Sequence, residues 1–404
     1  MARPSPFASL CAVGFLARFS YALARTPVLP LFALSLGAGP EAIGLIVGIS
    51  TITGIFFKLP AGALSDLLGR KRTMLAGLVV FAVMPFTYVL VQDYQLLLVI
   101  RFLHGFATAI YGPVAMAVIM DQAGERKGEM LSWFSSVTII GNLLGAPAGG
   151  FVLYHLAQAG APTLAEFHRV YLLSGAAGVL SLLLALMVLR GKEAAAPGQG
   201  LKAALRRLGA GIREVMSDVR VVVTSAMEGL QNLAVGALEA FLPIYAVKVA
   251  GLNEFQAGLL WGVQVLTTIL AKPLMGRTSD KYGRRHLVAG GLVLCALSFG
   301  AIPLLKGFSP LLLAAAVFGL GEALVTSSGA ALVADVCEER HFGAAMGAFG
   351  TIFDVGHAAG PILAGVLILR LDYFYAFAIL AAVLLAAVPV FLMMVRNESV
   401  DLSP

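Results

Sequence analysis

Ionisable side chains recur inside long apolar stretches of this chain, where a charge at mid-membrane depth costs roughly 2.5–3.5 kcal/mol on insertion scales. Arg18, Tyr21 and Arg25 stand at i, i+3 and i+7, one stripe of a helix. Arg101, His104, Thr108 and Tyr111 form a second stripe, and Glu228, Gln231 and Glu239 a third, with Asn232 beside it. Glu322 precedes Thr326 by one turn, and Asp354 shares a face with His357. Asn142, Trp261 and Gln264 are further polar or aromatic groups in apolar surroundings. The cations concentrate in the first half of the chain (Arg18, Arg25, Arg101) and the carboxylates in the second (Glu228, Glu239, Glu322, Asp354). A carboxyl withdrawn from water favours its neutral form. The four acids are therefore candidates to load and release a proton, Asp354 and Glu322 first. The other residues are candidates to line a wet cavity and hold a substrate. The alternative for each acid is a structural ion pair with an arginine.

The elements that hold these groups follow from composition. Hydrophobic residues make up 59% and charged residues 12%, against roughly 25% charged in soluble domains. At ~20 residues per membrane helix, the apolar content suffices for about twelve spans. A soluble enzyme and a disordered chain are excluded, and so is a membrane β-barrel, whose strands alternate polar and apolar residues. The runs predict helices near 7–36, 39–64, 73–91, 95–119, 129–158, 169–190, 218–250, 254–276, 286–305, 309–334, 341–370 and 372–396. These are numbered spans 1 to 12. Glu322 and Asp354 then lie about 20 Å into spans 10 and 11, at ~1.5 Å per residue.

Most Lys and Arg fall in the odd-to-even loops, at Arg70–Arg72, Arg126–Lys127, Arg190–Arg220, Arg277–Arg285 and Arg340. The opposite loops hold Arg169, Lys248, Lys306 and Arg370. The positive-inside rule then places both termini in the cytoplasm, so the net charge of +6 reads as a topology signal and not as nucleic-acid binding. Lys58 and Lys272, near the ends of spans 2 and 8, are expected to snorkel to the headgroups. The first apolar stretch, interrupted by Arg18 and Arg25, is too long for a signal sequence and reads as a retained span. Cys11, Cys295 and Cys337 are scattered, with no disulfide framework or metal-ligand spacing. A phosphate-binding Lys-Ser/Thr loop is lacking, so neither ATP nor another cofactor is expected, and an enzymatic role has no support.

The chain repeats itself. The segment from Gly62 through Asp66, Gly69, Arg70 and Lys71 recurs 214 residues later as Gly276, Asp280, Gly283, Arg284 and Arg285. At the same shift Asp121 maps to Asp335, Glu125 to Glu339 and Arg126 to Arg340. Two six-helix halves follow, 1–190 and 218–404, in the same orientation. Residues 191–217 join them as a cytoplasmic linker in which Leu201, Leu205, Leu208 and Ile212 have the period of an amphipathic helix.

These features resemble the major facilitator superfamily, twelve-helix transporters with a Gly-x-x-x-Asp-x-x-Gly-Arg-Lys/Arg loop after helix two and a second copy after helix eight. The resemblance covers essentially the whole chain. It implies that spans 1, 4, 7 and 10 surround a central cavity, and that the two loops form a cytoplasmic gating latch in which the arginines pair with Asp121, Glu125 and Glu129. Span 5 carries Gly141, Gly145, Pro147, Gly149 and Gly150, and span 11 carries Gly356, Gly360 and Pro361. Both resemble the glycine–proline motif in helix five of the drug:proton antiporters, although in span 5 the proline stands one position late. Small residues four apart let helices approach closely, a seam suited to halves that rock.

The expectation is a proton-driven transporter that exports a small organic molecule by alternating access, acting as a monomer in the inner membrane. Uptake of an organic anion with protons is the alternative, motivated by the basic first half. A non-transporting membrane sensor is a remote third, since no soluble signalling domain is visible.

Overall fold

The computed structural model describes residues 6–123, 126–158, 160–189, 218–337 and 342–395. Glu125, Glu339, Arg340 and the 191–217 linker lie outside the described residues. Among the described residues the structure is helical, with twelve helices long and apolar enough to cross a membrane. Span 1 is a pair, Pro6–Leu23 and Val28–Ser35. Spans 2 to 6 are Pro40–Leu68, Arg70–Thr87, Tyr94–Gln122, Lys127–Leu156 and Leu164–Val188. Spans 7 to 12 are Val219–Lys248, Glu254–Tyr282, Arg284–Ala301, Phe308–Val336, Phe342–Leu371 and Tyr373–Met394.

Two differences from the sequence reading have local causes. The expected continuous helix over 7–36 breaks between Leu23 and Val28, because Pro27 has no amide hydrogen to carry the ladder through. Span 2 runs past residue 64 to Leu68, where Gly69 at φ +100° turns the chain into span 3. Gly283 does the same between spans 8 and 9 at φ +88°. Both backbones occupy a region that only glycine enters without strain, which is why this part of the repeat is spelled identically.

Spans 1–6 pack on one another and spans 7–12 do likewise, with spans 2 and 11, and 5 and 8, meeting across the middle. The two halves share one hydrophobic core at the end away from the basic loops. Val28, Phe32, Ile43 and Val47 there join Ala237, Phe241, Ile244 and Ala364. Toward the basic loops the cores separate. Leu10, Met74, Phe81 and Val114 close among themselves, as do Val221, Val333, Ala345 and Phe349.

The glycines trace the same gradient. At the outer end, a Cβ on Gly44 of span 2 would strike the Pro361 carbonyl oxygen of span 11, and one on Gly365 would strike that of Pro40. At the inner end, a Cβ on Gly62, Gly276, Gly347 or Gly350 would meet nothing within 4 Å. The halves therefore touch along their outer ends and splay apart toward the basic loops. The perimeter carries exposed Leu90, Leu270, Leu313 and Met393, an apolar surface that hydrocarbon tolerates and water does not.

Candidate functional site

Between the splayed halves lies a cavity with two adjoining lobes of about 360 and 580 Å³, in the size range of small-molecule sites. Arg18, Tyr21, Arg25, Asn142, Phe353 and His357 face both lobes. The smaller adds Thr26, Glu239, Trp261, Gln264, Thr268, Lys272 and Glu322. The larger adds Ser50, Thr51, Lys58, Thr108 and Asp354.

Two ion pairs cross from one half to the other. The break in span 1 puts Arg25 and Thr26 on a turn facing span 7. There Arg25 Nη2 donates to Glu239 Oε2 at 2.8 Å, and Arg25 Nε pairs with Glu239 Oε1. His357 Nε2 of span 11 lies 3.0 Å from Glu239 Oε2 and 3.2 Å from Arg25 Nη2. The Thr26 hydroxyl points at Glu239 Oε1 from 3.5 Å. Glu239 is only 2% exposed, and a carboxylate so far from water needs such a partner, since its desolvation costs several kcal/mol. Nearer the basic loops, Lys58 Nζ donates to Asp354 Oδ2 at 2.5 Å, joining spans 2 and 11.

Glu322 is held differently. Gln264 Nε2 and Thr268 Oγ1, the latter at 3.2 Å, both donate to Glu322 Oε2. Gln264, Thr268 and Lys272 stand four apart on span 8, a stripe that faces span 10. Neither Arg18 nor Lys272 has an ion pair or hydrogen bond among the described residues, although both face the smaller lobe.

Several expectations require correction. Lys58 and Lys272 do not reach headgroups. Lys58 closes an interhelical ion pair and Lys272 lines the cavity. Arg101, His104 and Tyr111 lie behind the cavity wall, each at most 2% exposed. Arg101 Nη2 donates to Ser50 Oγ at 2.6 Å and Nε to the Ile46 carbonyl at 3.4 Å, tying span 4 to span 2. His104 Nδ1 lies 3.0 Å from the Tyr88 hydroxyl, and Tyr111 meets Phe81 edge-on. Glu228, Gln231 and Asn232 are likewise enclosed in the second half. Asn232 Nδ2 bonds Glu228 Oε1 at 3.3 Å and Gln231 Oε1 at 3.0 Å. Arg101 stands seven residues from cavity-lining Thr108 and Glu228 eleven from Glu239, nearly the same stripe of each helix, so what separates them from the cavity is mainly their depth along the helix and the helices packed over them there.

The loop repeat is a pair of equivalent contacts. Arg70 Nη1 bonds Asp121 at 2.6 Å and the Ala117 carbonyl at 3.3 Å. Arg284 Nη1 bonds Asp335 at 2.6 Å and the Ala331 carbonyl. These contacts stay within each half. Glu129 pairs with Arg126 at 2.5 Å, not with the loop arginines. Arg285 bonds the Leu392 carbonyl of span 12, and Lys71 follows Arg70 in the first turn of span 3. The side chains of Asp66 and Asp280 lie outside the described ones.

The glycine seams also differ from expectation. Gly141, Gly145 and Gly149 press span 5 onto span 1, and Gly356 and Gly360 press span 11 onto span 7, inside each half. Across the middle the contacts belong to Pro147 against Gly258 and Gly262, Gly150 against the Glu254 backbone, and Pro361 against Gly44 and Gly48. The cavity residues that the sequence reading missed are Thr26, Ser50, Thr51, Lys58, Thr268, Lys272 and Phe353. Thr268 and Lys272 had a signal, because they continue the stripe begun by Gln264. Among the described residues no cluster of His, Cys, Asp and Glu is arranged to hold a metal ion.

Comparison with known proteins places this architecture. The chain is 24% identical over 374 residues to an uncharacterized MFS-type transporter, MJ1560, of Methanocaldococcus jannaschii, covering 89% of this chain and 88% of that one. It is 20% identical over 345 residues to the quinolone resistance protein NorA of Staphylococcus aureus, covering 84% of each. It is 23% identical to the vesicular acetylcholine transporter of Rattus norvegicus over 82% of this chain but only 61% of that protein. The crystal structure of the nucleoside transporter NupG superposes with a TM-score of 0.81 at 14% identity, over 98% of this chain and all of the other. The Major Facilitator Superfamily matches over residues 10–268 and 237–403. A duplicated six-helix unit around a polar cavity, matched along nearly the whole chain, makes this protein an integral membrane transporter belonging to the Major Facilitator Superfamily.

Proposed function

We propose that the protein is a proton-coupled secondary transporter that exports a small organic molecule by alternating access. The observation that carries this reading is the placement of Glu322 and Asp354 on the wall of one cavity between two halves. A carboxyl there can exchange protons with water and sense what else occupies the cavity. The cavity opens toward the basic loops, and the positive-inside rule makes that face cytoplasmic. In this reading both termini are cytoplasmic, the membrane is the inner membrane, the monomer is the working unit, and the proton gradient replaces any bound cofactor. The outward direction draws on the likeness to a quinolone resistance protein.

Alternating access then requires the outer ends to part, which means separating Arg25 from Glu239 and unpacking Pro361 from Gly44 and Gly48. Asp354 is held by Lys58 across the middle, so protonating it releases one tie between the halves, whereas Glu322 is held by neutral donors within its own half. The test begins with a thermal-shift screen of small organic molecules at two pH values, followed by reconstitution with a trapped pH indicator. A ligand found in the screen should move uphill only under a pH gradient, with matching proton movement. Asp354→Asn combined with Glu322→Gln should abolish the coupling. Flux indifferent to both the gradient and the double substitution would discard the proposal.

A further inference from the structure

The cavity's charges do not cancel. Four cations, Arg18, Arg25, Lys58 and Lys272, face three carboxylates, Glu239, Glu322 and Asp354. Behind the wall lie buried Arg101 in one half and buried Glu228 in the other, and the charge of Lys272 acts through space on both Glu228 and Glu322. Arg25 is matched by Glu239 and Lys58 by Asp354. Glu322 accepts hydrogen bonds from Gln264 and Thr268 and makes no ion pair among the described residues. Among the described residues Arg18 of the first half and Lys272 of the second make no ion pair or hydrogen bond, and both face the same lobe. Both side chains are half-buried with donors unbonded among the described residues, and an arriving anion would supply the charge-assisted bonds they lack.

We infer that Arg18 and Lys272 form a clamp for the negative group of the transported molecule, which is therefore an organic anion. The inference rests on the transporter reading above, but not on its direction. Guanidinium and ammonium groups from opposite halves give charge-assisted bonds to a carboxylate or a phosphate oxygen. The rest of the lobe specifies the body of the cargo. Tyr21, Trp261 and Phe353 offer aromatic faces, and Asn142 supplies a neutral polar group. A compact anion with an aromatic or apolar body satisfies all of these. For a cation the lobe offers, among the described residues, one carboxylate outside an ion pair, Glu322, which already accepts bonds from Gln264 and Thr268.

The chain has two tryptophans. Trp133 is 60% exposed on the outside, so Trp133→Phe leaves Trp261 as the fluorescent reporter inside the lobe. Phenylacetate, phenylacetamide and phenethylammonium share one body and differ in charge, and none absorbs where tryptophan is excited at its red edge. In detergent, without any gradient, phenylacetate should change the Trp261 emission saturably and bind at least about tenfold more tightly than the other two, the scale of one charge-assisted bond. Arg18→Gln and Lys272→Gln should each erase most of that preference, and Arg18→Lys should retain part of it. Unchanged melting temperatures identify variants that fold. No preference for the anion, or a preference that survives both neutral substitutions, overturns the clamp. Loss of proton-driven flux with the anion preference intact would instead overturn the transport reading.

Discussion

Lys58 Nζ and Asp354 Oδ2 lie 2.5 Å apart, although they are separated by most of the chain and belong to opposite halves. The Lys58 side chain is 39% exposed and that of Asp354 15%, so solvent screens the pair and its worth to stability is small, about 1 kcal/mol or less. Its value lies in connecting span 2 to span 11 where the cavity opens. A double-mutant cycle on thermal unfolding should return a coupling no larger than that. The exchanged pair Lys58→Asp with Asp354→Lys should regain activity that either single change loses. Single changes that leave transport intact would show that the pair has no working role.

The Arg25–Glu239–His357 group should behave differently, because Glu239 is almost fully enclosed. Glu239→Gln leaves the Arg25 charge with no counter-charge of its own, and breaking a buried pair in this way costs about 3–5 kcal/mol. The variant should melt at lower temperature. In a cysteine-free background, a cysteine at Thr26 should also become reactive to an impermeant thiol reagent added from the outer face. An unchanged labelling rate would mean that hydrophobic packing alone seals that side.

The glycine gradient can be read by substitution. Gly356→Ala would drive a methyl group into the Gly229 backbone, which cannot move aside as a side chain can. The expected loss is roughly 1–3 kcal/mol, or failure to fold. Gly350→Ala, six residues earlier on the same helix, has nothing within 4 Å. It should be neutral or slightly stabilising, since alanine favours helix by about 1 kcal/mol over glycine. Equal melting temperatures for the two variants would contradict the splayed arrangement.

Gly69 and Gly283 should be equally intolerant. At φ +100° and +88° with extended ψ, an alanine would be strained by about 1–3 kcal/mol. Arg70→Ala, by contrast, removes a pair with a half-exposed aspartate and should cost about 1 kcal/mol or less. If the arginine matters more than the glycine for unfolding, the turn geometry is not what the repeat preserves for folding.

The sequence alone determined the number of membrane helices, their order and the duplication. Each of these depends on local runs of apolar residues, on glycine turns and on a constant offset between copies, and none needs to know what packs on what. It also identified which helices carry polar groups. Which stretch of each polar stripe meets the cavity came from the tertiary structure. Arg101, His104 and Glu228 look as available in the sequence as Arg18, Glu239 and Glu322, and even share stripes with cavity residues, but at their depth neighbouring helices pack over them and no cavity wall is exposed. Lys58 and Lys272 looked like headgroup anchors because their depth was legible and their facing was not. Partnerships such as Arg25 with Glu239 join groups far apart in the chain, and only the meeting of two folded halves brings such groups within reach. The seams were recognisable as close-packing surfaces, but their partners were not, because a small residue permits contact with whichever helix the fold lays against it.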